Sequence, residues 1–133
     1  MNMSKFTINP IALAMSQSVA DLEAADVWFA EKVAEGFTSE TAGITLGLTE
    51  SDVTLLTGNF VLAKEAAALE LAVPPIIGSD GTVVALSIAE LSGLMLEYGS
   101  YRAGLSAQYA QKRADAQYEP PQIETDEEQE TTE

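Results

Sequence analysis

Apolar side chains recur along the first part of the chain at steps of three and four: Ile11, Met15, Val19, Leu22, Ala25, Phe29 and Val33. That spacing is one face of an α-helix, and Asp21, Glu23, Asp26, Glu31 and Lys32 fall mostly on the other side. Asn9 can cap the N-terminus, and Pro10 suits the first helical position, where a missing N–H is no loss. Gly36 is placed to close the helix in a left-handed cap. A helix is expected over 10–35. Trp28 sits beside the stripe, an edge-of-core or interface ring rather than a ligand platform.

The helical period is lost between Phe37 and Leu48. Thr38, Ser39, Thr41, Gly43 and Gly47 read as a connector, in which Ile44, Leu46 and Leu48 alternate like a short strand or an extended packed segment. Periodicity returns behind Thr49-Glu50-Ser51-Asp52, a capping box with a shortened acid, flanked by Leu48 and Val53 as a hydrophobic staple. Val53, Leu56, Phe60, Ala63 and Ala67 then mark the buried face of a second helix over 50–71. Gly58 in its middle costs about 1 kcal/mol relative to Ala. It either permits a close helix–helix approach or marks a bend. Pro74-Pro75 ends the helix, since neither residue can continue it.

Ile76-Ile77 and the run Thr82-Val83-Val84-Ala85-Leu86 flank Gly78-Ser79-Asp80-Gly81, whose residues tolerate positive φ. This predicts a short β-hairpin at 76–86. Two strands alone are marginal in water, so the hairpin must lean on the helices or on a partner. Ser87-Ile88-Ala89-Glu90 is a full capping box, with Leu86 and Leu91 as its staple. Leu91, Leu94, Met95, Tyr98, Arg102, Leu105 and Tyr109 continue with helical period, giving a third helix over 88–117. At about 1.5 Å per residue it reaches about 45 Å. That exceeds what the globule needs, so its far end is expected to project toward a neighbour. Gly93, Gly99 and Gly104, with Ala103 and Ala107, either let another helix come close or form a tolerant packing face.

The fold class is therefore mainly α: three principal helices, one short β-hairpin and a disordered-type acidic C-terminal tail. Residues 1–117 form the helical domain and residues 118–133 the tail. The tail carries seven acids, no base, Pro120-Pro121 and a single aliphatic side chain, Ile123. Such a segment cannot bury enough surface to offset its ordering entropy, and is expected to order only against a partner.

Charge and composition narrow the function. The 133 residues hold 21 acids and 6 bases, a net charge of −15. A usual nucleic-acid binder needs a Lys/Arg footprint that is missing here. There is no Cys and no His. That excludes disulfides, thiolate chemistry and His-based mechanisms, and with them the usual zinc sites. The serines have no His base, no Ser-x-x-Lys occurs, and no Gly-Lys-Ser/Thr follows the scattered glycines. Ser79-Asp80-Gly81 lacks the later acids of a calcium loop. The carboxylates fall on expected solvated helix faces rather than in the paired environments of a hydrolase. No catalytic residue, cofactor or metal is expected. Neither a secretory core in Met1–Pro10 nor a run of about 20 apolar residues is present, so a soluble, cytoplasm-made protein is expected.

Pro75–Gln111 resembles a domain of unknown function found in tailed-bacteriophage tail and tail-fibre proteins. The shared grammar is an Asp-Gly turn (Asp80-Gly81), a short strand (Thr82–Leu86), a Ser87 cap, Ala89-Glu90-Leu91 and a long helix containing Tyr98 and Tyr101. It covers about a third of the chain. The N-terminal helices and the acidic tail depart from the common pattern. The resemblance implies a virion structural protein of the tail, baseplate or neck, assembled in the host bacterial cytoplasm and bound to other virion proteins and to copies of itself. An assembly chaperone whose acidic tail holds a basic partner is the alternative. A DNA-mimicking decoy fits the charge but not the Gly- and Ala-rich faces.

The aromatic residues Trp28, Phe37, Tyr98, Tyr101 and Tyr109 exceed what a three-helix domain of this size readily buries, and aromatic side chains are enriched in interface cores. They are the expected partner-binding residues, together with Tyr118 and Ile123 on the tail.

Overall fold

Each helix begins where a side chain can satisfy its first free N–H groups. The Asn9 side-chain oxygen accepts from the Ile11 N–H at 2.8 Å and opens α1, Pro10–Glu35. Thr49 and Asp52 exchange the two bonds of a capping box at the start of α2, Glu50–Ala68. Ser87 and Glu90 do the same for α3, Ile88–Ala116. Between them lie β1 (Phe37–Ser39), β2 (Ile44–Leu46), β3 (Ile76–Ile77) and β4 (Val83–Val84). The computed structural model describes residues 9–120, and these elements make a mainly α architecture with two small antiparallel hairpins.

α3 is the spine. Its Leu91, Leu94, Tyr98 and Leu105 are buried, and they meet Leu56 and Ala63 of α2, Ile76 of β3 and the inner side of β1–β2. α1 lies along the other end of α3 and runs against it: Val33 lies in the layer around Leu105, Phe29 stacks on Tyr109, and Ser18 reaches Ala116.

The stretch read as a connector at 37–48 is a hairpin: Ile44–Leu46, where the alternation suggested a short strand, is its second strand, and Phe37–Ser39 is a first strand that was not expected. Phe37 pairs with Leu46, Thr38 with Thr45 and Ser39 with Ile44. The period-2 alternation then sends Phe37, Ser39, Ile44 and Leu46 inward, while the Thr38 and Thr45 hydroxyls meet at 2.9 Å outside. Phe37-Thr38-Ser39 carries too little pattern to announce a strand, and burial supplies there what local propensity lacks. Gly36, just before β1, has a positive φ of 78° with an extended ψ of −170°, so it closes α1 without the left-handed cap geometry. A Cβ there would stand 2.8 Å from the Leu46 carbonyl oxygen.

The hairpin read at 76–86 is present, with Ile76 opposite Val84 and Ile77 opposite Val83. It leans on the other hairpin: the Ser79 N–H donates to the Thr45 carbonyl at 2.8 Å. Two helix ends also differ from expectation. α2 stops at Ala68, before Leu71 and well before Pro74, because a closing turn satisfies its last carbonyls. The Glu70 N–H bonds the Ala67 oxygen and the Leu71 N–H bonds the Ala66 oxygen, with Glu70 at φ 59°. The far end of α3 does not project; Ala116 is buried and accepts from Ser18 Oγ at 2.5 Å. Instead α1 overhangs. Its residues before Ser18 are exposed throughout, about 12 Å of helix at 1.5 Å per residue.

Candidate interaction surface

The aromatic residues expected at an interface are drawn into contacts within the chain. Phe37 and Tyr98 are buried in the core, their rings edge to face at 6.0 Å, so neither is left over for a partner. The reason is the unexpected first strand, Phe37–Ser39, whose pairing carries Phe37 inward. Tyr98 directs its hydroxyl to the Gly47 carbonyl at 2.6 Å, and burial raises the pKa of that hydroxyl. Tyr101 is half-buried with its ring 5.1 Å from Phe37. Tyr109 is half-buried and lies flat on Phe29 at 4.3 Å. Trp28 is half-buried beneath the Lys112 ammonium, 4.8 Å from the ring centre. Tyr118 is half-buried at the end of the described chain, and Ile123 lies outside the described residues, as does most of the expected acidic tail.

Polar groups fasten the helices to each other. Asp26 on α1 accepts from the Tyr109 hydroxyl and from the Arg113 guanidinium of α3, both at 2.6 Å. The Tyr109 hydrogen bond, then Arg113, holds the Asp26 carboxyl below the usual carboxylate range. Donation to that carboxylate raises Tyr109 in turn. A lowered acid stabilises the fold above its ordinary value near 3.8, and the benefit is lost as pH falls through the lower folded value. The cluster is a clamp: the tyrosine keeps its proton and the arginine its charge. On the other side of α3, Arg102 donates to the Leu48 carbonyl and pairs with Glu50 at 2.8 Å, tying down the start of α2. Ser39, fully buried, donates to Glu97 at 2.8 Å and accepts from the Ala42 N–H.

The surface left for partners is aliphatic. Ile11, Leu13, Met15 and Val19 are exposed on the uncharged first turns of α1. The outer side of α2 exposes Leu55, Leu62 and Leu69, spaced by seven residues, with Val61 beside them and Leu71 just beyond. Ile77 and Val83 are exposed on the second hairpin. A groove of about 320 Å³ runs between α2 and this hairpin, lined by Leu55, Asn59, Ile76 and Ile77 among others. The sequence reading followed the inner register of α2 and passed over the outer one. Its signal was available, because Leu55 and Leu62 each precede an inner residue, Leu56 and Ala63, by one position.

Among the described residues, no group of three or more His, Cys, Asp or Glu could hold a metal ion, and no helix is long and apolar enough to cross a membrane. Comparison of the chain with family models, with curated proteins and with solved structures finds no match.

Proposed function

We propose that the chain is a non-enzymatic structural subunit of a tailed-bacteriophage virion, in the tail, baseplate or neck, acting through protein–protein contacts. The observation that carries the contact-making part is the aliphatic surface. Isolated exposed apolar residues are ordinary, but contiguous ones on helix faces mark interaction sites. The phage assignment rests on the resemblance of Pro75–Gln111, whose hairpin, Ser87 cap and long helix are all formed. Other virion proteins and copies of this chain are the partners in this reading, with no nucleic acid, membrane or small-molecule substrate.

A second reading is favoured by one observation, the seven acids and no base of residues 118–133. An assembly factor could use such a segment to hold a basic partner before assembly. Mass spectrometry of purified intact particles separates the two. A virion subunit is present at fixed stoichiometry. An assembly factor is found in infected cells and missing from the particles.

A further inference from the structure

The outer face of α2 has a composition that the fold itself does not require. Leu55, Leu62 and Leu69 stand 66%, 57% and 67% exposed. A helix packed on one core needs a single apolar face, and Leu56, Ala63 and their neighbours already supply it. Gly58, on the outer side, weakens the helix, yet a Cβ there would meet nothing within 4 Å. Among the described residues, no contact calls for that glycine. Asn59 and Ala66 fall between the leucines at steps of four and three, so the face reads Leu55, Asn59, Leu62, Ala66, Leu69. Those steps are the seam by which one helix packs along another.

The end of α2 points the same way. Glu70 occupies the left-handed region, φ 59°, where a residue other than glycine carries a penalty of about 1 kcal/mol. In this kind of helix ending, the residue after the left-handed one commonly folds back onto the helix. Here that residue, Leu71, is 62% exposed. The turn therefore presents Leu69 and Leu71 together, at one end of the stripe. At the other end lies the groove of Leu55, Asn59 and Ile77.

We infer that two copies of the chain pair through antiparallel α2 helices, each placing Leu69 and Leu71 in the groove of the other. The stripe is symmetric about Leu62, with a leucine seven residues to either side, as a two-fold interface requires. Rotation about Leu62 sets Leu62 against its own copy and Leu55 against Leu69. Asn59 and Ala66, which share one edge of the seam, then fall beside each other, so every seam position meets a seam position of the facing helix. Charge selects the orientation. Parallel pairing would align Glu50, Asp52, Glu65 and Glu70 each with itself, while the antiparallel arrangement sets Glu65 level with Asn59 and Glu70 level with Thr54, so no acid lies directly across from its own copy. This inference rests on the reading of the chain as a subunit acting through protein contacts, and it names one partner as a second copy.

The test uses the full chain in solution. Sedimentation across a concentration series, at about 0.3 M salt to screen repulsion between two strongly acidic chains, is expected to show a monomer–dimer equilibrium. Leu62→Glu should weaken it at least about tenfold, the scale of losing one central interface side chain, with an unchanged circular dichroism spectrum. Because the chain contains no cysteine, single cysteines report the geometry directly, whatever Leu62→Glu does to folding. Under mild oxidation Leu62→Cys should cross-link to itself. Leu55→Cys should cross-link to Leu69→Cys in a mixture but not to itself. A monomer at every concentration, a dimer indifferent to Leu62→Glu, or efficient self-linking of Leu55→Cys overturns the proposal. A monomer in solution sinks the pairing even if the chain is found in particles. Absence from particles sinks the phage reading and leaves a solution dimer standing.

Discussion

The two hairpins are built from the same materials and serve opposite ends of the stability scale. β1–β2 has three residues per strand and sits in the core, its Ile44 only 2% exposed. β3–β4 has two per strand and shows Ile77 and Val83 to solvent, with Ile76 its one fully buried strand residue. The second announces itself through Gly78-Ser79-Asp80-Gly81, while the first joins its strands through Glu40-Thr41-Ala42-Gly43, a much weaker turn signal. Turn chemistry and burial are thus separate properties. Turn residues report how the chain reverses, and inward alternation reports what the strands are worth to the core.

The sharpest way to break this contrast is to remove side-chain volume from each hairpin in turn. Ile44→Ala should cost about 3 kcal/mol, as expected for a fully buried branched side chain, read as the shift in denaturation midpoint with an unchanged slope. A loss under about 1 kcal/mol would mean the first hairpin is not part of the core.

Gly78→Ala probes the seam between the hairpins. A Cβ there would lie 2.7 Å from the Thr45 carbonyl oxygen and 2.8 Å from an Ile44 side-chain carbon. Both atoms belong to the rigid first hairpin, so the second must shift away, at a cost of about 2 kcal/mol. A thermal melt matching that of the parent would show that the hairpins do not touch as described.

Ser87→Ala tests whether the second hairpin delivers the chain into a real helix cap. The Glu90 N–H would lose its acceptor, now 3.1 Å away, and stability should fall by about 1 kcal/mol. Restoration by Ser87→Thr or Ser87→Asp would separate the cap from a general packing effect.

Val83→Ala should be the mildest, within about 0.5 kcal/mol, because its side chain is largely in water. If it instead approaches the cost of Ile44→Ala, the second hairpin carries core packing and the contrast collapses.

Local features of the chain were readable wherever the determining atoms lie within one or two turns. Asn9, the Thr49–Asp52 pair and the Ser87–Glu90 pair each act over two or three residues, and all three open helices as expected. The early end of α2 was missed because Glu70 adopts a conformation that its residue type gives no reason to expect. The candidate surface was only half legible. Aromatic content was read as surface for partners, but Phe37 and Tyr98 were spent on the core, and the large apolar residues left exposed among those described are aliphatic.

By itself the sequence determined the three helices, their starting points, the turn of the second hairpin and a strongly acidic balance, because spacing and capping chemistry act between near neighbours. Tertiary structure decided which faces those helices use. In α2 the runs Leu55-Leu62 and Leu56-Ala63 are offset by a single position, about 100° around the helix, and either could have faced inward. Contacts with α3 and β1–β2 selected the second and left the first outside. The same holds for the overhang of α1, which follows from where Ser18 meets Ala116, 98 residues away. Periodicity states which residues share a face; only packing between distant segments states what that face will meet.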